Sequence, residues 1–531
     1  MKALPIGIQS FEKMRKKGCL YVDKTREILQ LITSGDIYFL SRPRRFGKSL
    51  LVTTMAEIFQ GNKSLFEGLY IYDKYDWTTH YPVIIIDWNR VYHATAEAME
   101  SEMGIFLDRI ASSYQISLTQ TYASGKFEEL ISRVYEKTGS QVVVLVDEYD
   151  MPLLDVLNNP VELGLIRTFL QSFYKVLKGT DGFLKFVFFT GVSKFAKVSI
   201  FSGMNSPEDI TMDKKYATIC GYTQEELEAN FEEYIHEFAR ESEATYNEII
   251  TSIRQWYNGY SWDGTTTVYN PFSTLLMFSK MELTNHWFST GTPTFLINQI
   301  KKRNDVKYLL EPVQVSSDGF DNFEPDSIST KLLLFQTGYL TVKRVAKKRF
   351  GAGLTYTLGI PNEEVRQSLM NHLVSSYAEC EVTDTVELRD YMLQELFDGD
   401  VSAFQRNMQA MFANIPYQLH IPCDAYYHSL LLLWLNMLGF KALGEVSTSI
   451  GRIDAVWTWE DRVVIAEVKH SEKSTLETLL QEAFDQIHDR RYYEGYAGDN
   501  RRIALLAIAV AGREIECRME ELNVYSDCKD K

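Results

Sequence analysis

The stretch SRPRRFGKSL, residues 41–50, closes on Gly47-Lys48-Ser49. Glycine, lysine and a hydroxyl residue at the start of a helix suit a phosphate chain. Glycine lets the backbone approach, and the first helical N–H groups face the anion. Lys48 then reaches the β- and γ-phosphates and Ser49 holds Mg²⁺. Farther along, VVVLVDE (142–148) ends an apolar strand in two acids. Asp147 is placed to enter the Mg²⁺ shell and Glu148 to orient an attacking water. Thr190 ends the next apolar run, where a hydroxyl can sense the γ-phosphate. The expected ATP-binding set is Arg45, Phe46, Gly47, Lys48, Ser49, Leu50, Asp147 and Thr190, with Glu148 catalytic and Ser49 and Asp147 as metal ligands. One position departs from the ordinary loop: Arg42 stands where its first glycine belongs. Arg44 and Arg45 either add positive charge near the phosphates or form a solvated face.

A second group of charges lies in GRIDAVWTWEDRVVIAEVKHSEKS, residues 451–474. It reads as two antiparallel strands, 452–458 and 463–469, around a turn at Glu460-Asp461. That register sets Asp454 opposite Glu467, with Cβ atoms about 5 Å apart. Like charges so placed repel, unless a divalent cation lies between them, and Mg²⁺ or Mn²⁺ is expected there. Lys469, two residues past Glu467, shares its face and can stabilise charge on a reacting phosphate. Gln486, a helical turn past Ala483 in LLQEAFDQIHDRRYY, is within reach of the same place. Val464, Ala466 and Val468 make the opposite face apolar.

These groups need elements to hold them. Apolar strands at 37–40, 83–86, 142–146 and 186–189 alternate with helical stretches near 48–59, 94–137 and 160–178, which implies α/β layering with a parallel, doubly wound sheet. Helices follow over 223–290, opening on Thr223 and Glu226 as a capping box. LLLFQTGYLTVKRV and FGAGLTYTLGIP read as a helix running into a hairpin, a winged-helix-like unit within 291–375. Its Lys343-Arg344 pair and KKRF (347–350) either meet backbone phosphate or form a solvated wing. From 376 the chain is helical, then alternates strands with a helix to residue 511.

Composition limits the rest. The chain has 531 residues, 45% hydrophobic and 13% aromatic, enough for several buried cores. Its formal net charge of −16 excludes a coat that binds nucleic acid by overall charge, so any such contact is local or metal-screened. Six cysteines lie far apart with no CxxC pair, which fits a reducing compartment. The N-terminus carries no apolar signal segment, and the apolar runs are too short for a bilayer. A cytoplasmic protein without a membrane partner is expected, and a homo-oligomer is compatible with the sequence.

YVDKT (21–25), SRPRRFGKSLL (41–51), LFEGLYIYD (65–73), VDEYDMPL (146–153), TGVSKFAKVSIFSGMN (190–205) and WYNGYSWDG (256–264) together resemble the bacterial AAA-ATPase-like proteins, P-loop ATPases whose loop typically reads RPRRFGKS. The resemblance covers roughly residues 1–290 and implies the same roles for Lys48, Ser49, Asp147 and Glu148. The 451–474 hairpin, with Asp454 and Glu467-Val468-Lys469, resembles the PD-(D/E)XK phosphodiesterase core, which implies a restriction-endonuclease-like α/β domain. Where that family commonly has Glu before a YY pair, this chain has the shorter Asp424, an additional candidate metal ligand. The expected domains are an ATPase core (1–222), a helical lid (223–290), the winged region (291–375) and a nuclease-like domain (376–531, core 412–511). The functional expectation is an ATPase coupled to a metal-dependent nuclease acting on nucleic acid, DNA favoured. The alternative is a regulatory ATPase whose nuclease-like domain binds nucleic acid without cutting it.

Overall fold

The computed structural model describes the chain except residues 195–199, 288–293, 304, 306, 311, 321–328, 349–351, 379–380, 414–432, 440, 443–452, 460–461, 472–473, 491–492, 494–495, 497–500, 512–513 and 523–531. It divides into two compact units. One comprises Met1–Gly291 with Pro312–Val365, the other Thr292–Glu311 with Arg366–Lys531. The region expected as 291–375 is therefore shared between them.

The first unit is built on five parallel strands: β1 (Ile37–Ser41), β2 (Val83–Asp87), β3 (Val142–Asp147), β4 (Leu184–Gly191) and β5 (Glu208–Asp209). Their spatial order is β2-β3-β4-β1-β5. Every residue of β3 is buried, as a strand covered on both faces requires. Alternate side chains feed two cores. Val142, Val144, Val146, Val187 and Phe189 pack with the Ala96–Ser113, Ala123–Thr138 and Pro160–Gly179 helices. On the other face Phe186 meets Phe59 of the Lys48–Phe59 helix, with ring centroids 5.2 Å apart. The stretch read as helical over 94–137 breaks at 114–122. There Gln115 takes a positive φ and Tyr114 bonds Val83 at the sheet edge.

After the sheet come the Gln224–Glu241, Tyr246–Tyr257 and Pro271–Lys280 helices. The first opens on the expected Thr223–Glu226 capping box. The Thr330–Gln336 helix then runs into an antiparallel sheet of β6 (Val313–Ser316), β7 (Thr341–Lys347) and β8 (Leu354–Gly359), ordered β6-β8-β7. Lys343 is not a free cation on that wing, since its Nζ donates to the Pro361 carbonyl at 2.9 Å.

The second unit carries a mixed sheet of β9 (Lys441–Ala442), β10 (Ile453–Trp459), β11 (Arg462–His470), β12 (Arg502–Ala511) and β13 (Glu514–Leu522), ordered β13-β12-β11-β10-β9. β11 and β12 run parallel and are joined through the Leu476–Arg490 helix. That helix lays Leu479, Leu480, Ala483, Phe484 and Ile487 onto Val463 and Ile465 of β11 and Ile503 and Leu505 of β12.

Candidate functional site

In the first unit the site forms where β1 turns into the Lys48–Phe59 helix. Gly47 takes φ 86° as the residue before that helix, a left-handed conformation that glycine adopts without strain. A twelve-residue helix then presents its first N–H groups and the positive end of its dipole. Lys48 is 3% exposed. Its Nζ donates to the carbonyls of Arg42 (3.0 Å) and Pro43 (3.2 Å) and lies 3.4 Å from Glu148 Oε1.

Strand order brings the acids alongside. β4 lies between β1 and β3, and Thr190 near its end donates to Asp147, while Ser49 also bonds Asp147. Burial pushes the Asp147 carboxyl upward against the pull of those two hydroxyls and of Lys48. Glu148 follows with φ 56°, its N–H 3.4 Å from Thr190 Oγ1. Asp150, pushed up to about 6 by burial and by Glu148, accepts from the Val192 and Ser193 amides and the Ser193 hydroxyl. Ser193 thus fixes the turn after β4, and Lys194 pairs with Asp209 at 2.8 Å.

A cavity of about 640 Å³ opens over this turn, a size that suits a nucleotide. Arg44, Arg45, Phe46, Gly47, Lys48, Ser49, Leu50, Asp147 and Glu148 line it, so all the expected ATP-binding residues border it except Thr190, which sits behind Asp147. Arg45 places its guanidinium over the Phe272 ring, 4.7 Å from the centroid. Asp87 and Asn89 also line the cavity and were not among the expected residues. The signal available was VIIID, an apolar run ending in an acid like VVVLVD. β2 pairs in parallel with β3 so that Asp87 is level with Asp147. Tyr222, Phe272 and Leu275 give one wall an apolar surface. The Ser49 hydroxyl and the Asp147 carboxylate are hard oxygen donors, a set that fits Mg²⁺.

Asp23 and Lys24 of YVDKT serve the frame. Asp23 accepts from the Thr25 amide and hydroxyl and from the Tyr70 amide. Lys24, also in the cavity wall, grips both oxygens of Glu226 at 2.6 and 2.7 Å.

In the second unit β10 and β11 pair with Ile453 opposite Val468 and Trp459 opposite Arg462, so Asp454 is opposite Glu467. At Asp454 the backbone alone is described. Glu467 is 1% exposed, and its Oε1 accepts from Lys469 Nζ at 2.7 Å. Lys469 also donates to Gln486 Oε1 from the Leu476–Arg490 helix. Lysine, glutamate and glutamine therefore form one hydrogen-bonded cluster at the strand end, with Glu467 and Lys469 buried and Gln486 half-buried. Asp424 lies outside the described residues. A buried carboxylate level with a second acid fits a divalent cation. Among the described residues no three His, Cys, Asp or Glu side chains gather as a ligand group.

A P-loop α/β unit and a mixed-sheet unit bearing a Glu-x-Lys strand define the class. The model of the predicted AAA-ATPase family matches residues 5–201, and that of the PD-(D/E)XK nuclease superfamily matches 423–520. The chain is 39% identical over 516 residues to a protein of Azotobacter chroococcum mcd 1 described as "Uncharacterized protein in vnfD 5'region", covering 96% of each. It belongs to the AAA-ATPase-like family and carries a PD-(D/E)XK nuclease-superfamily domain. Among the described residues no helix is long and apolar enough to cross a membrane.

Proposed function

We propose that the chain binds and hydrolyses ATP at the Lys48 loop and couples nucleotide state to metal-dependent cleavage of nucleic-acid phosphodiesters by the second unit. The observation that carries the cleavage reading is the hydrogen-bonded Glu467–Lys469–Gln486 cluster. A lysine is held beside a carboxylate whose strand partner position is Asp454. Glu467 and Asp454 would hold Mg²⁺ or Mn²⁺, with Asp424 a further candidate ligand. A bound divalent cation supplies Lewis-acid polarisation of the phosphate and an activated water. Lys469 then neutralises charge on the scissile phosphate, and Gln486 aims the ammonium.

In the first unit Lys48 leaves the loop carbonyls for the β- and γ-phosphates, with Arg45, Phe46, Gly47 and Leu50 completing the loop around them. Ser49 and Asp147 would hold Mg²⁺, Glu148 would orient the attacking water, and Thr190 keeps Asp147 in place. DNA is the favoured substrate. The test is cleavage of labelled single- and double-stranded DNA and RNA with Mg²⁺ or Mn²⁺, with and without ATP. Wild type is run beside Lys469→Ala and Lys48→Ala. Loss of cutting by at least about a hundredfold in Lys469→Ala is expected. Lys48→Ala is expected to lose ATP hydrolysis and any ATP dependence of cutting. Absence of cutting with hydrolysis intact would favour a regulatory ATPase whose second unit binds nucleic acid only.

A further inference from the structure

Arg42 is the residue that departs from the ordinary phosphate loop, and the structure buries it completely. Among the described residues no carboxylate forms an ion pair with its guanidinium. Nη1 donates to the carbonyls of Ser41 and Thr211, both at 2.9 Å, and Nη2 donates to the Tyr216 carbonyl at 3.2 Å. The Trp262 ring covers the group, its centroid 3.8 Å from Cζ. Burial lowers the guanidinium only to about 10, so it stays cationic at neutral pH. A buried cation is costly unless dipoles and aromatic faces replace water, and three carbonyls at the Nη atoms and an indole face do so here.

Those partners sit in different segments. Ser41 ends β1, Thr211 follows β5, and Tyr216 lies on the chain leading to the cavity residues Ile219, Cys220 and Tyr222. Trp262 belongs to the WYNGYSWDG turn. The same turn packs Tyr260 and Trp262 edge-on against Phe46 of the loop, at 4.8 and 5.5 Å. It also bonds to the winged sheet. Ser261 N–H donates to Thr341 Oγ1 at 2.7 Å, Thr341 Oγ1 donates to the Ser261 carbonyl at 2.8 Å, and Val342 N–H donates to that carbonyl at 3.2 Å. Gly264 lies so close to β7 that a Cβ there would stand 2.9 Å from the Val345 nitrogen, and one at Gly338 would stand 2.8 Å from Pro43 Cβ. The Arg42 and Pro43 carbonyls are meanwhile the acceptors that hold Lys48.

We propose that Arg42 is a positioning residue of the nucleotide site, fixing the phosphate loop and locking it through Trp262 to the 256–264 turn and the winged sheet. Loop shape and winged sheet then change together when nucleotide draws Lys48 off the loop carbonyls. This rests on the ATP reading for its trigger, while the lock itself exists without nucleotide.

The test uses the full chain as wild type, Arg42→Gly, Arg42→Met and Arg42→Lys. Arg42→Gly restores the glycine of an ordinary loop, and Arg42→Met keeps most of the side-chain volume without the charge should the glycine variant fail to fold. Hydrogen exchange is read at the Ser261 and Val342 amides without nucleotide, and KM and kcat are then read for MgATP. Loss of the charge-assisted bonds should speed exchange and raise KM about tenfold in the Gly and Met variants, with kcat changed less than about threefold. Arg42→Lys should recover much of both. Wild-type exchange in Arg42→Gly and Arg42→Met would overturn the lock, as would a KM that improves when glycine is restored. If wild type hydrolyses no MgATP, the functional reading fails, and the exchange result still decides for or against Arg42.

Discussion

Lys48 is held by two loop carbonyls and by its ion pair with Glu148. Its place was legible because Gly-Lys-Ser after a strand states a backbone geometry as well as a charge. Arg42 was legible only as a misfit, because three carbonyls drawn from separate segments leave no local pattern. Glu364 is another such case. Its Oε1 accepts from the His286 and Trp287 amides, both at 2.9 Å, and burial pushes the carboxyl up to about 7. A raised folded-state value favours the neutral form, so the associated stability is present below the unfolded value near 4.5 and is lost as pH rises through about 7. Wild type should lose roughly 3 kcal/mol more than Glu364→Gln between pH 4.5 and 8 in urea unfolding. Parallel pH curves for the two proteins would show that Glu364 does not titrate this way.

At the scale of elements, the register of the hairpin that carries Glu467 was readable from the sequence. Period-two alternation on two strands around a short polar turn leaves one register that faces Asp454 with Glu467. The ends differ by one residue, β10 running on to Trp459 instead of 458 and β11 spanning Arg462–His470 instead of 463–469. Gln486 was within reach on helical spacing, but its bond to Lys469 depends on how the Leu476–Arg490 helix lies across β11 and β12, a packing angle that no local pattern encodes. That bond has a kinetic consequence if the second unit cuts. Gln486→Ala should lower the cleavage rate about tenfold at saturating Mn²⁺ while leaving substrate affinity within about threefold, since one aiming hydrogen bond is lost. An equal loss in affinity and no loss in rate would assign Gln486 to substrate binding. The parallel sheet of the first unit was similarly readable from strand spacing, whereas the level pairing of Asp87 with Asp147 appears only once β2 and β3 lie side by side.

For the whole molecule, the domain boundary was the least legible feature. The resemblance to AAA-ATPase-like proteins fades near residue 290, yet the first compact unit includes Pro312–Val365. Long-range contacts decide this: Ser261 with Thr341, Gly264 against Val345, Asn362 Nδ2 donating to the Tyr257 carbonyl at 3.0 Å. A chain ending at residue 290 should therefore melt several degrees below one ending at 365, and expose apolar surface to a hydrophobic dye. Equal melting would mean that the winged sheet adds nothing to the first unit.

The same discontinuity sets an order of events during synthesis. The phosphate loop leaves the ribosome early, but the strand that closes over its supporting turn is made only after residue 340. At translation rates of about 5–20 residues per second, the 256–264 turn waits for several seconds with Ser261 and Gly264 lacking their β7 neighbours. In that interval the nascent chain carries an unpaired backbone edge at Ser261 open to chaperones, and a ribosomal pause between residues 290 and 340 would lengthen the exposure.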